Sequence, residues 1–223
     1  MNLIGIIFLL VSATVSSMFK RRFNTYAKTK LRSNWSGAEI ADKMLRECGV
    51  DQVKITCTRG HLTDHYNPLT KTVNLSDEVY YGQSAAAAAV AAHECGHAVQ
   101  HAQGYAFLRL RSTMVPVLSA TTRFMPWMIM LGIFLVNTTL IPLTIGIGLF
   151  ALTTLFTFIT LPVEFDASSR ALAWIDNQGV VTSQERQMAK NALWWAAMTY
   201  VVAALGSLAQ LLHLINILGS KKR

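Results

Sequence analysis

The segment "AAHECGHAVQ", residues 91–100, contains two histidines four residues apart, and a glutamate directly follows the first of them. On an α-helix, residues four apart lie on one face about 6 Å from each other, so His93 and His97 can both direct a ring nitrogen at one zinc ion. Glu94 is rotated by about 100° from His93, which places its carboxylate where it can address a zinc-bound water. Zinc lowers the pKa of that water, the carboxylate takes the proton, and the hydroxide attacks a polarised carbonyl. The alternative interpretation is a buried membrane helix whose histidines are merely hydrogen-bonded.

A catalytic zinc site requires a third protein ligand and an open position for water. The candidates for this ligand are His101, Glu164, Asp166, His65 and His61. His101 continues the four-residue series, but each step of four adds about 40° of rotation and 6 Å of rise, so its side chain would splay away from the metal. Glu164 follows an apolar run that ends in "ITLP" and opens the helically spaced stretch "EFDASSRALAWI". We expect Glu164 to be the third ligand, although a carboxylate at a membrane boundary can also be an ordinary solvated residue.

The composition predicts a membrane protein, because 52% of the 223 residues are hydrophobic and only 14% are charged, against about 25% charged in soluble domains. We expect a mainly α, multi-pass helical membrane protein with a small α+β zincin-like domain, in which a short sheet accompanies the H-E-x-x-H helix. The predicted parts are an N-terminal transmembrane anchor (1–19), a catalytic domain (20–123), a transmembrane hairpin (124–162) interrupted at "NTTLIP" (137–142), a third-ligand helical segment (163–192), and a C-terminal transmembrane helix with a basic tail (193–223).

The net charge of +8 comes from basic residues that cluster beside the apolar runs. This arrangement suits anionic lipid and the positive-inside rule, and it predicts that the catalytic domain lies on the cytoplasmic side of the membrane. The charges of "GSKKR" at the end of the chain would then lie outside, against the rule, if the last run spans. The sequence lacks the combination of aromatic and basic residues that would predict nucleic-acid binding. The three cysteines have no CxxC spacing, which favours a reducing compartment over a disulfide framework.

Local signals place the zinc motif after a short sheet. Ser36 and Glu39 form a capping box at the start of a predicted helix that ends near Gly49. The predicted elements that follow are a strand at 52–58 with Val53, Ile55 and Cys57 on one face, a second strand, a turn at Asn67-Pro68 and a third strand within 61–76, and a continuous helix from Ser84 to about Gln103.

The segments "LTDHYNP", "VAAHECGHAVQHAQGY", "LRSTMVPV" and "LPVEFDASSRALAWI" resemble those of the YugP-type membrane zinc metallopeptidases of bacteria, and the resemblance extends over nearly the whole chain. It implies a multi-pass protein of the bacterial inner membrane with zinc peptidase activity. The architecture also resembles HtpX and the CAAX prenyl proteases, which have two spans between H-E-x-x-H and a glutamate ligand. Their motif implies that His93, His97 and Glu164 bind zinc and that Glu94 is the general base.

The chain departs from those relatives at Ser168, where they carry an aspartate four residues after the ligand glutamate. Asp166 or Asp64 is therefore expected to orient a ligand histidine. The other candidates for surrounding the metal or stabilising an oxyanion are His65, His101, Tyr66, Tyr81 and Tyr105, each of which can equally be an ordinary turn or cap residue. Cys95 is expected to be a small packing residue.

The expected partners are membrane lipid and a membrane-protein or peptide substrate, with zinc but no dedicated small-molecule cofactor and no nucleic acid. Strands 52–58 and 71–75 are candidate edges for pairing with a substrate backbone. The alternative function is a non-enzymatic membrane assembly or interaction protein that keeps a metal site. A metal transporter is disfavoured because the 124–162 hairpin contains no ionisable residue.

Overall fold

The computed structural model describes residues 3–221, and these residues form a mainly helical protein with one small sheet. The predominance of helix confirms the predicted fold class at this level. The elements are α1 (Leu3–Tyr26), α2 (Gly37–Glu47), β1 (Lys54–Thr58), β2 (His65–Asn67), β3 (Thr72–Ser76), α3 (Asp77–Tyr80), α4 (Ala85–Ala102), α5 (Ala106–Phe134), α6 (Ile141–Asn177) and α7 (Ser183–Lys221).

Helix α2 begins and ends where its local sequence predicts. The Ser36 side chain accepts a hydrogen bond from the Glu39 amide, and the Glu39 carboxylate accepts one from the Ser36 amide at 2.7 Å. Such a cap typically stabilises a helix by about 1 kcal/mol. After α2, Gly49 adopts a φ of +69°, a left-handed conformation that glycine tolerates best. The buried face of the helix then packs against α4 and contributes Ile40 and Met44 to the core.

The sheet has the strand order β1-β3-β2, in which β1 pairs parallel to β3 and β2 pairs antiparallel to β3. Strand β3 is therefore central, and the expectation that 71–75 offers a free edge to a substrate is wrong. The edges are β1 and β2. Within β1, Cys57 is exposed rather than on a buried face, and its thiol donates a hydrogen bond to the Asp77 carboxylate at 2.9 Å. The buried side of the sheet is provided by β3, where Val73 and Leu75 are fully enclosed.

Helix α4 lies in the centre of the domain and is buried along most of its length. Its alanines and a serine cap, in which the Ser84 hydroxyl accepts a hydrogen bond from the Ala87 amide at 3.2 Å, explain why a helix of this length forms here. Gly96 lets α6 approach closely, because a Cβ atom at this position would lie 2.7 Å from the Ala167 carbonyl oxygen. Cys95 is buried beside it, as expected of a packing residue.

Three helices among the described residues, α5, α6 and α7, are long and apolar enough to cross a membrane. The break between α5 and α6 falls at residues 135–140, where "NTTLIP" predicts it. Helix α6, however, continues through Pro162 to Asn177, and α7 is unbroken from Ser183 to Lys221. The expected boundaries after residues 162 and 192 thus lie inside helices. Helix α1 also extends beyond residue 19 to Tyr26, while the first two residues of the expected anchor lie outside the described range.

Candidate metal centre

Three side chains from two helices meet at one point beside the sheet. His93 and His97 lie one turn apart on α4, with ring centroids 4.7 Å apart and ring planes nearly perpendicular. Glu164 enters from α6, and its Oε2 atom lies 3.4 Å from His93 Nε2 and 3.7 Å from His97 Nε2. One potential ligand atom from each of the three residues lies within 4.8 Å of the other two. The structure therefore brings together the three residues that the sequence suggested as ligands.

These separations fit a tetrahedral metal ion. Zinc binds imidazole nitrogen and carboxylate oxygen at about 2.0–2.2 Å, so neighbouring ligand atoms of a tetrahedral site lie about 3.3–3.5 Å apart. The two measured distances from Glu164 Oε2 lie at or just above that range. The carboxylate of Glu164 is almost completely buried, and a buried anion of this kind requires positive charge nearby. Two nitrogens and one oxygen are also a donor set typical of catalytic zinc sites, in which the fourth position stays open.

Gln100 orients His97. Its amide nitrogen donates hydrogen bonds to the Val163 carbonyl at 2.8 Å and to Asp166 Oδ2 at 2.7 Å. These two bonds fix which end of the amide is oxygen, so Gln100 Oε1 accepts from His97 Nδ1 at 3.0 Å. Because Nδ1 carries the proton, the lone pair of His97 Nε2 faces Glu164 and is available to a metal. Gln100 was not among the residues singled out from the sequence.

Ser168 contacts His93 directly, with 3.1 Å between the hydroxyl oxygen and Nδ1. This serine stands where the resembled relatives carry an aspartate, and its hydroxyl can accept from the ring as an aspartate would. The expectation that Asp64 or Asp166 contacts a ligand histidine differs from the structure. Asp64 instead accepts hydrogen bonds from the amide and hydroxyl of Ser76, and Asp166 acts one step away, through Gln100.

Arg111 holds the second oxygen of Glu164. A guanidinium nitrogen of Arg111 donates to Glu164 Oε1 at 2.9 Å, which leaves Oε2 directed at the two imidazole rings. In the sequence, Arg111 is one of the basic residues that precede an apolar run. Its pairing with a glutamate 53 residues away has no local signal.

Glu94 lies next to the three ligand candidates and is held by the sheet. Its Oε2 atom accepts a hydrogen bond from the Tyr66 backbone amide at 2.8 Å. This amide belongs to the edge strand β2, on the side that faces away from β3. The carboxylate is mostly buried, and its Oε1 atom can accept from a further donor.

Two cavities meet at this site. The α1-side cavity, of about 170 Å³, lies between α1 and α7 and includes Phe19 and Phe23 in its wall. The hairpin-side cavity, of about 440 Å³, lies between the β2–β3 hairpin and α5. The residues common to both walls are Asp64, His93, Glu94, Glu164 and Tyr200. Tyr200, on α7, is a further residue of the site that the sequence did not indicate.

The remaining histidines and tyrosines lie around the site or away from it. His101 does not join the metal group, and its Nδ1 atom is 2.8 Å from the Tyr66 hydroxyl, as helix geometry predicts for a residue two turns past His93. His65 lines the hairpin-side cavity, where its Nδ1 atom lies 2.8 Å from the Thr63 carbonyl. The residues that pair elsewhere are His61 with Glu78, Tyr81 with Tyr80, and Tyr105 with Phe107.

Burial and charge shift several titrations at the site. Burial lowers the pKa of His97, but hydrogen bonding to Glu164 and the charges of Glu164 and Glu94 outweigh it, so the pKa lies above its ordinary value. The site therefore attracts positive charge. Burial raises the pKa of Asp64 in spite of its hydrogen bonds from Ser76, and burial also raises the pKa of the Tyr66 phenol.

Comparison with known proteins agrees with this geometry. The family model described as "Putative neutral zinc metallopeptidase" matches residues 1–219. The "Putative membrane protease YugP" of Bacillus subtilis (strain 168) is 41% identical over 198 residues, which cover 89% of this chain and 87% of that protein. No solved structure matches the chain. The family match and the similarity to this relative confirm the resemblance noted from the motifs: the chain belongs to the neutral zinc metallopeptidase family.

Proposed function

We propose that this protein is a membrane-embedded zinc metalloendopeptidase that hydrolyses peptide bonds of membrane proteins or peptides close to the bilayer. The observation that carries the proposal is the convergence of His93, His97 and Glu164 at separations suited to a tetrahedral metal, with Glu94 beside them. Zinc bound by these three residues would supply Lewis-acid chemistry, polarising a carbonyl and acidifying a water molecule.

The side chains around the metal group have three proposed roles: general base, orientation of the imidazole ligands, and donation of a hydrogen bond to an oxyanion. Glu94 is the proposed general base, and the Tyr66 amide fixes the position of its carboxylate. Gln100 holds His97 with Nδ1 protonated, and the Ser168 hydroxyl can accept from Nδ1 of His93 in the same way, which leaves Nε2 of each ring free on the side that faces Glu164. Tyr200 lines both cavities and carries a phenol that can donate a hydrogen bond to an oxyanion. The sequence suggested His65, Tyr66, Tyr81 or Tyr105 for this role.

The two cavities suit an extended chain as substrate. They meet at Glu94 and Glu164, so a peptide that passes from one cavity to the other would present a backbone carbonyl at the metal group. The α1-side wall includes Phe19 and Phe23, and the hairpin-side wall includes Leu108 and Val115. Walls of this kind favour apolar substrate side chains on both sides of the cleaved bond.

Helix lengths support a site at the membrane boundary. From Arg111 to the end of α5, and from the start of α6 to Glu164, there are 23 residue steps in each helix, or about 35 Å at 1.5 Å per residue. The hydrocarbon core of a bilayer is about 30 Å thick. Residues 111 and 164 therefore fall just beyond the apolar layer when the α5–α6 loop lies at its far side. We propose a multi-pass bacterial inner-membrane protein whose basic flanking segments place the metal group on the cytoplasmic side.

The decisive experiment replaces the general base. Wild-type, Glu94→Gln and Glu78→Gln proteins are expressed in cells that lack the native copy, and peptide fragments in the membrane fractions are compared by mass spectrometry. Glu94→Gln should lower the rate at which protein-dependent fragments appear by about 10²–10⁴, while the purified protein keeps its zinc. Glu78 is exposed and pairs with His61, so Glu78→Gln should behave as wild type. Equal fragment release by Glu94→Gln would contradict the proposal and favour a non-enzymatic membrane protein.

A further inference from the structure

The turn between β2 and β3 presents a leucine directly outward. Leu69 is 93% exposed. The turn around it is nevertheless well defined, because the Asn67 side-chain oxygen accepts hydrogen bonds from the backbone amides of Leu69, at 2.9 Å, and Thr70, at 3.3 Å. The Lys71 ammonium further anchors the turn by donating to Gln52 Oε1 at 2.8 Å. The exposed position of the leucine is therefore fixed by a hydrogen-bonded turn.

The hairpin tip lies beside α5. Pro68 and Leu69 face Leu108, Val115 and Pro116 across the hairpin-side cavity. Val115 and Pro116 lie four and five residues past Arg111 toward the apolar end of α5, which is about 6–8 Å along the helix axis. Since Arg111 is at the level of Glu164, the cavity that the tip shares with α5 extends past the level of the metal group toward the apolar part of the candidate span.

The surface of α5 near the tip is also apolar and unburied. Phe107, Leu110, Val115 and Val117 are each between 44% and 54% exposed. Among them, Val115 lines the hairpin-side cavity together with Leu69. Single exposed hydrophobic residues are common on soluble proteins, but a set continuous with a candidate membrane span fits lipid. Arg109, which is exposed in the same first turns of α5, adds positive charge that suits anionic headgroups.

We propose that the β2–β3 hairpin tip inserts into the surface of an anionic lipid bilayer, so that the hairpin-side cavity opens toward the membrane. The substrate class that follows is a segment that leaves the bilayer beside the hairpin, rather than a freely soluble peptide. This inference rests on the proposed membrane placement of α5 and α6, and the experiment below separates failure of the one from failure of the other.

The test measures the depth of a fluorophore at single cysteines. Cys48→Ser and Cys57→Ser remove the two exposed thiols, and Cys95 stays because it is buried and unreactive. A nitrobenzoxadiazole maleimide is then attached at Leu69→Cys, at Leu155→Cys on the exposed surface of α6 as the control for lipid, or at Asp51→Cys in the turn after α2 as the control for water. Each protein is reconstituted into phosphatidylcholine–phosphatidylglycerol vesicles with or without nitroxide-labelled acyl chains, and zinc content serves as the check of folding.

The expected result is strong quenching by the nitroxide lipid at positions 69 and 155 and weak quenching at position 51. Shallow insertion, within about 5–10 Å of the headgroup boundary, should make a nitroxide near the headgroup more effective at position 69 than one near the chain end. If position 69 behaves as position 51 does while position 155 is quenched, the hairpin inference is wrong and the membrane placement stands. If position 155 is not quenched, the proposed membrane placement is itself wrong.

Discussion

Replacing Gln100 with leucine tests whether the residues behind His97 control metal binding. Leucine has a similar volume and can fill the same enclosed space between α4 and α6, but it makes no hydrogen bond. The Val163 carbonyl remains within helix α6, and Asp166 keeps its bond from Arg170 at 2.5 Å. The main loss is the acceptor for His97 Nδ1.

The size of the effect follows from where the proton of His97 can go. Without zinc, the ring of the variant can carry its proton on Nε2, where it is directed at the buried Glu164 carboxylate 3.7 Å away. With zinc, Nε2 must be free, so the proton stays on a buried Nδ1 that has no acceptor. An unpaired buried donor costs about 1–3 kcal/mol, which corresponds to a zinc Kd raised about 5–150-fold. Loss of a residue that orients a metal ligand typically costs 10–100-fold in affinity, in the same range.

The measurement is zinc competition against a fluorescent chelator of known affinity, on purified protein in detergent. Gln103→Leu is the matched control, because Gln103 lies one turn further along, at the end of α4, and its side chain bonds Arg170 rather than the imidazole. Its zinc Kd should equal that of wild type. A folded Gln100→Leu protein that binds zinc as tightly as wild type would refute the assignment of the His97 tautomer to Gln100.

Two further predictions concern close contacts. Gly96→Ala places a methyl group 2.7 Å from the Ala167 carbonyl oxygen, and the cost of this overpacking, about 1–3 kcal/mol, should exceed the gain in helix propensity of about 1 kcal/mol. The variant should therefore have a lower Tm and bind zinc more weakly, whereas Gly148→Ala, which meets open space on α6, should change neither property. Equal Tm values for the two variants would contradict the close approach of α4 and α6. The hydrogen bond to Asp77 raises the pKa of the Cys57 thiol to about 11. Compared with an unperturbed exposed thiol, the thiolate form is then about a hundredfold less populated, but each thiolate is more nucleophilic. Iodoacetamide should therefore alkylate Cys57 about tenfold more slowly than an unperturbed exposed thiol. Asp77→Asn should restore the rate in a peptide-mapping assay, and an unchanged rate would mean that the bond is absent in solution.

The parts of the fold that the sequence predicts are those governed by neighbours along the chain. The capping box of Ser36 and Glu39 and the break at 137–142 each involve no more than six consecutive residues. The strand order depends on residues far apart in the sequence, since β1 pairs with β3 and the paired residues are 18 positions apart. No local pattern distinguishes this parallel pairing from a hairpin between β1 and β2. The end of the apolar run at Pro162 is not the end of the helix, because a proline removes only one helical hydrogen bond and α6 continues through it to Asn177.

The residues of the site divide in the same way. Gln100 follows His93 by seven residues and His97 by three, so helical phase alone places it on their face, and this signal was available in the sequence. Ser168 follows Glu164 by four residues and was noticed only as a departure from the relatives. Arg111 carries no such signal, because its helix reaches Glu164 only through the packing of α5 against α6.

In the proposed membrane placement, the continuous helix α6 links the metal group mechanically to the bilayer. Glu164 lies about 35 Å along this helix from its far end, so a tilt of about 2° about that end would move the carboxylate by about 1 Å. Metal–ligand distances tolerate only about 0.2 Å, and spanning helices change tilt when bilayer thickness changes. The contacts that oppose such movement are those that join α6 to α4: the close approach at Gly96, the Gln100 bonds to Val163 and Asp166, and the Ser168 bond to His93. Because these contacts lie within two turns of the ligands, we expect α4 to move with α6 and the geometry of the metal group to be preserved when the thickness of the bilayer changes.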